Sequence, residues 1–190
     1  MVCGFITLPD SFMPSVASPS LPQLLLAALQ RETRLTRPFL ERLPAGYFDW
    51  QPHPKSMTLG QLASHLANML GNIDDTLTTD AYDMATALVS SHPVTATSPA
   101  EVIARFNTNA AKAYAALVAA DEVALAQVWT FSVGEQVIFS QPRAQIVREI
   151  LLDHLIHHRG QLSVYLRLLE VAVPGTYGPT ADEPAFDFAQ

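Results

Sequence analysis

The chain has 190 residues, 49% of them hydrophobic, enough to bury one sizeable core but short for two domains. Acidic residues (18) outnumber basic ones (11) for a net charge of −7, and the basic residues are scattered rather than gathered into the cationic stripe that neutralises phosphates, which argues against nucleic acid as a partner. The longest apolar run near the start, Leu24 to Leu29, falls far short of the roughly 20 residues that span a bilayer, and Cys3 is the only cysteine, which excludes an internal disulfide and a thiolate metal cage.

Pro9, Pro14 and Pro19 interrupt the first twenty residues, which carry no lysine or arginine. Residues 1–20 therefore read as an irregular arm rather than a secretory leader, and the cytoplasm is the expected compartment. Residues 21–190 are expected to form the folded domain. A first helix is predicted to start after Ser20, where Ser20 and Gln23 have capping-box spacing, and to run to about Leu43. Pro38 lies inside that span and predicts a kink or a division near Thr36.

Pro44 to Met57 has loop composition, with Phe48 and Trp50 as aromatic staples. The second helix begins at Thr58, with Gln61 three residues on, and ends near Thr79; Leu59, Leu62, Leu66, Leu70, Ile73 and Leu77 fall on one stripe of it. A connection of nearly twenty residues follows. Ser98-Pro99-Ala100-Glu101 then combines a cap, a proline at the first helical position and an acid in the first turn, opening a third helix that reaches Ala119 or Ala120. Aromatic and β-branched residues flank Gly134-Glu135 and predict a small hairpin over Val128 to Phe139. The fourth helix is expected from Pro142 to about Glu170, stopped by Val173-Pro174-Gly175. Four long helices with a long middle connection predict an all-α four-helix bundle, a layout whose interior commonly hosts metals.

Histidines are the chemical lead. His154 and His158 are four residues apart, so they lie one turn apart on the same helix face. At 100 degrees per residue, Gln161 and Tyr165 share their stripe within about 40 degrees, while His157 falls to the side near Asp153. His65 belongs to the second helix, beside Gln61, Asn68 and Asn72, and only tertiary structure can bring it to the other two. Spacing alone leaves two readings: one divalent ion held by three imidazoles, or a histidine pair in ordinary hydrogen bonds with His65 on a solvated flank. His53 and His92 sit in proline-containing loops and read as surface residues. Asp74-Asp75 reads as an exposed helix face, with either carboxylate able to orient a ligand histidine or serve as a base. No nucleophile elbow, phosphate-binding glycine loop or dinucleotide fingerprint occurs.

Three segments resemble the DinB-like superfamily, also described as DinB/YfiT-like metalloenzymes: Asp49-Trp50-Gln51-Pro52-His53 through Thr58-Leu59-Gly60-Gln61-Leu62-Ala63-Ser64-His65-Leu66; His154-Leu-Ile-His-His158-Arg159-Gly160-Gln161-Leu162; and Val173-Pro174-Gly175-Thr176-Tyr177-Gly178-Pro179 through Glu183. The resemblance implies a four-helix bundle of up-down-down-up topology, a left-handed crossover between the second and third helices, and frequent homodimers. It also implies a zinc or nickel ion held by His65, His154 and His158. Characterised relatives include thiol-dependent enzymes, among them mycothiol-dependent maleylpyruvate isomerase and bacillithiol S-transferases. The resulting expectation is a metal-dependent hydrolase or thiol S-transferase acting on a small molecule, with a low-molecular-weight thiol as co-substrate in the second case and Asn68, Asp153, His157 or Gln161 supporting the ligands. No catalytic base is assigned. The rival expectation is a nonenzymatic metal-binding or stress-response bundle.

Overall fold

A computed structural model describes residues 18–90 and 94–183, so most of the N-terminal arm, together with His92 and the last seven residues, lies outside the described residues. Helix α1 spans Leu21–Glu41 and opens on the expected cap, the Ser20 backbone N–H donating to Gln23 Oε1 at 2.8 Å. Pro38 does not divide it. Thr36, Phe39 and Leu40 around the proline are all buried, as are Leu25, Leu29 and Glu32 before it. Packing on both sides offsets the missing backbone donor, which falls only three residues before the helix ends.

After a 3-10 turn at Ala45–Tyr47 the chain crosses to α2, Leu59–Thr78. Trp50 meets Tyr165 edge-on, with ring centroids 5.6 Å apart. Phe48 lies buried against Gly60, whose N–H donates to the Phe48 carbonyl at 2.9 Å. A Cβ at residue 60 would stand 2.9 Å from the Phe48 ring, so glycine is required by close approach. Both halves of the α2 capping box form: Gln61 N–H to Thr58 Oγ1 at 3.2 Å and Thr58 N–H to Gln61 Oε1 at 2.9 Å. Of the stripe predicted from the sequence, Leu59, Leu62, Leu66, Leu70 and Ile73 are buried and Leu77 is partly so.

The long connection holds structure that periodicity does not reveal. Strand β1, Ala81–Asp83, is followed by the short helix α3, Met84–Ser90. Helix α4, Pro99–Ala119, starts at Ser98, which accepts from Glu101 N–H, and the short helix α5, Glu122–Ala126, is capped by Asp121. Strands β2, Val128–Val133, and β3, Gln136–Pro142, form the expected hairpin with Phe131 opposite Phe139. Gly134, at φ 59, takes the first central position of its two-residue turn, where a left-handed backbone favours glycine. Strand β1 pairs in parallel with β2, Tyr82 beside Phe131, so the hairpin is part of a three-stranded sheet. The last helix is not uniform: α6, Arg143–Gln145, passes into a π-helical stretch at Ile146–Leu152 and then into α7, Asp153–Leu168.

The chain is thus mostly helical with one small sheet. Helix α2 packs against α4 and α7, and α1 against the same two. All four feed one apolar core. Among the described residues no helix is long and apolar enough to cross a membrane.

Candidate metal centre

Helix α2 delivers His65 and α7 delivers His154 and His158 to the same place. One ring nitrogen from each lies within 4.8 Å of the other two. The ring centroids of His65 stand 5.2 Å from His154 and 4.5 Å from His158, and those of His154 and His158 are 4.5 Å apart. His158 is buried, His65 half-buried and His154 exposed at the edge of the cluster.

Two long-range ties set this meeting. Tyr165, two turns beyond His158, donates its hydroxyl to the Met57 carbonyl at 3.0 Å and so fixes α7 against the start of α2. On the opposite side, Arg159 turns away from the cluster into a buried network in which Nη1 donates to Glu32 Oε2 at 2.9 Å and to Thr36 Oγ1 at 3.1 Å. Arg159 Nη2 donates to the Tyr177 hydroxyl at 3.0 Å, and that hydroxyl donates to Glu32, drawing the C-terminal segment onto α1. The π-helical stretch immediately before His154 widens the helix at the approach to the cluster, where such irregularities often mark functional sites.

The tautomer of His158 follows from its partners. Its Nδ1 lies 2.7 Å from Gln161 Oε1, while Gln161 Nε2 lies 3.1 Å from His157 Nε2. Gln161 Oε1 can only accept, so Nδ1 of His158 carries the proton and Nε2 presents a lone pair to the cluster. That lone pair faces His154 Nε2 at 2.7 Å. Two lone pairs at such a distance repel, and two imidazoles on one tetrahedral ion stand about 3.3 Å apart, so this contact is a hydrogen bond with the proton on His154 Nε2.

Electrostatics favour neutral rings. Burial, followed by the charges of His158 and His154, lowers the pKa of His65 to about 4. Burial and His157 lower that of His154. Burial lowers that of His158 as well, with His154 and His157 adding to it against the opposing hydrogen bond to Gln161. Neutral imidazoles are what a divalent ion requires, and the donor set fits zinc or nickel. His157 sits behind Gln161 as a flanking group, in line with its position on the helical wheel. Asp153 instead pairs with Arg148, and Asn68 is half-buried one turn along α2 from His65.

Sequence reasoning did not assign the wall beside this cluster. A cavity of about 340 Å³ opens at His65 and His154. One face of the sheet lines it: Trp129 and Phe131 alternate on β2, Phe139 faces them from β3, and Tyr82 comes from β1. The Phe131 ring stacks on Tyr82 at 6.0 Å and on Phe139 at 5.2 Å. Buried Arg143 clamps the sheet to the end of α2, its Nη2 donating to the Thr79 carbonyl at 2.8 Å and to Asp80 Oδ1 at 3.1 Å. The aromatic hairpin was the available signal; what it lacked was its partner strand.

Residues 13–189 match the family model described as the DinB family. The uncharacterised protein YrdA of Bacillus subtilis is 32% identical over 133 residues, covering 68% of this chain and 71% of that protein. Among solved structures, a DinB-like protein from Bacillus cereus aligns with a TM-score of 0.63 at 21% identity, over 80% of this chain and 95% of that one. The DinB-like protein YjoA of Bacillus subtilis aligns with a TM-score of 0.61 at 15% identity, over 80% and 96%. Sequence match and fold agree: this chain belongs to the DinB family.

Proposed function

We propose that His65, His154 and His158 hold one divalent cation, zinc or nickel, and that the protein is a metal-dependent enzyme, a hydrolase or thiol S-transferase, acting on a small molecule. The observation that carries this reading is the convergence of three ring nitrogens from two distant stretches of chain, all held toward the neutral form. Three protein ligands leave a coordination position open, the pattern of catalytic rather than structural ions, and here the cavity opens beside two of the three. Such an ion supplies Lewis acidity toward a water or a thiol. The chain's own contribution is orientation and an apolar wall: Gln161 fixes the His158 tautomer, Glu32 and Arg159 hold α7 in rotation, and the aromatic sheet face lines one side of the cavity. A low-molecular-weight thiol as second substrate, a homodimer, a cytoplasmic location and an up-down-down-up four-helix bundle belong to the same reading.

Elemental analysis of untagged protein, followed by assays of thiol transfer to electrophiles and of ester hydrolysis with and without chelator, tests it. One equivalent of metal and chelator-sensitive turnover are expected. Stoichiometric metal without turnover would favour a nonenzymatic metal-binding bundle, and the absence of any bound ion would defeat both.

A further inference from the structure

The cavity beside the histidines has a consistent chemical character. Its sheet side is the aromatic face of Tyr82, Trp129, Phe131 and Phe139, and its floor is Ile146, Ile150 and Leu151 from the widened helix. The wall is rigid. Trp129 is buried and its indole N–H donates to Thr79 Oγ1 at 3.1 Å, while the phenylalanine rings stack in register. Helix α2 forms the other side with Asn72, Asp75 and Thr76, of which the Thr76 hydroxyl is already committed to the Asn72 carbonyl at 2.7 Å.

Asp75 is the one acidic or basic side chain other than the two histidines that lines this cavity among the described residues. It stands at the exposed rim. Asp74 adds negative charge beside it, and Lys112 from α4 opposes in part. Partial burial of the carboxyl against the cavity wall, then Asp74, push Asp75 up from its ordinary value, although the residue as a whole faces solvent. Among the described residues no lysine or arginine lines the cavity to receive a carboxylate. The volume lies at the lower end of the range for small-molecule sites, about 300–1,000 Å³. Aromatic faces pack against an apolar or aromatic body and a carboxylate pairs with a cation, so wall and rim together suit one molecule that carries both.

We infer that this cavity takes a small amine with a flat aromatic or similarly apolar body, the ring lying against the Trp129–Phe131–Phe139 face and the ammonium group at Asp75. This rests on the reading of the histidines as a reactive centre, since it places such a molecule's apolar body beside His65 and His154; binding itself needs only the cavity. Asp75 becomes the residue that sets charge specificity, and anionic substrates are disfavoured unless a cation on the histidines receives them.

The test is calorimetric titration of the full chain, metal-free and zinc-loaded, with 2-phenylethylamine, 2-phenylethanol and phenylacetate. On metal-free protein the amine is expected to bind about tenfold more tightly than phenylacetate. Asp75→Asn should weaken the amine about fivefold and leave the alcohol within a factor of about two. Phe131→Ala should weaken amine and alcohol together, and should it not fold, the Asp75→Asn comparison stands alone. Phenylacetate binding metal-free protein as tightly as the amine, an amine affinity indifferent to Asp75→Asn, or no binding of any probe would each overturn the inference. Zinc content of the same samples separates the two ideas: metal uptake without amine preference sinks only this inference, whereas amine preference without metal uptake sinks only the metal reading.

Discussion

Glu32→Ala is the perturbation that most directly probes what holds the candidate site together. Glu32 is 1% and Arg159 2% exposed, so neither charge is solvated, and Arg159 Nη1 meets Glu32 Oε2 at 2.9 Å. Removing the carboxylate leaves a buried guanidinium with neutral partners, the Thr36 and Tyr177 hydroxyls and the residue-32 backbone carbonyl at 3.5 Å. Breaking one member of such a pair costs about 3–5 kcal/mol. At roughly 2–4 °C per kcal/mol for a chain of this size, Tm should fall by about 6–20 °C. The double variant Glu32→Leu/Arg159→Met removes both charges and should stay within about 2 kcal/mol of wild type, losing chiefly the hydrogen bonds to Thr36 and Tyr177. Burial alone would push the Glu32 carboxyl up; hydrogen bonds from Tyr177 and Arg31 and the charge of Arg159 outweigh it and hold the pKa below 4.5. A depressed carboxyl stabilises the fold above its unfolded pKa and loses that contribution as pH falls through the folded value, so the gap between wild type and the single variant should close in acid. Urea denaturation across pH measures all of this. A loss under about 1 kcal/mol for Glu32→Ala, or a double variant as unstable as the single one, would show that the pair does not fix α7 against α1.

His65→Ala, His154→Ala and His158→Ala should each abolish most bound zinc, whereas His157→Ala, whose ring meets His158 edge-on and Gln161 through Nε2 but is not one of the three converging on the cluster, should retain most of it; equal loss in all four by elemental analysis would refute the ligand assignment. Metal-free protein should lose stability as pH falls from 6.5 toward about 4, because His65 stays neutral in the fold while the unfolded chain takes up its proton; thermal unfolding across that window should show the slope in wild type and less of it in His65→Gln. Gly60→Ala should destabilise by about 1–3 kcal/mol, since its Cβ would stand 2.9 Å from the Phe48 ring and 3.1 Å from the Phe48 carbonyl oxygen. Glu170→Gly should stabilise by about 1 kcal/mol, because Glu170 takes φ 57 just past the end of α7; an unchanged urea midpoint would contradict the cost assigned to that backbone.

What the sequence disclosed and what it withheld divide along the range of the interactions involved. Caps at Ser20, Thr58 and Ser98 are local chemistry, written within four residues, and α1, α2 and α4 begin where those residues stand. The hairpin turn at Gly134 is equally local. Strand β1 is different: three residues carry no readable alternation, and Ala81–Asp83 is extended because β2, far along the chain, offers it a parallel edge and because the Asp83 carboxylate accepts from Gly134 N–H at 2.7 Å. Pro38 likewise misleads when read alone, since the burial of Thr36, Phe39 and Leu40 around it depends on helices that the local sequence does not mention. The candidate site follows the same division. Four-residue spacing put His154 and His158 on one face, but His65 joins them only because Tyr165 and Arg159 tie α7 to both sides of the core. The helical wheel puts Tyr165 on the histidine stripe, but nothing in the chain announces that its hydroxyl reaches Met57 or that Arg159, next to His158, turns the other way to a buried carboxylate on α1.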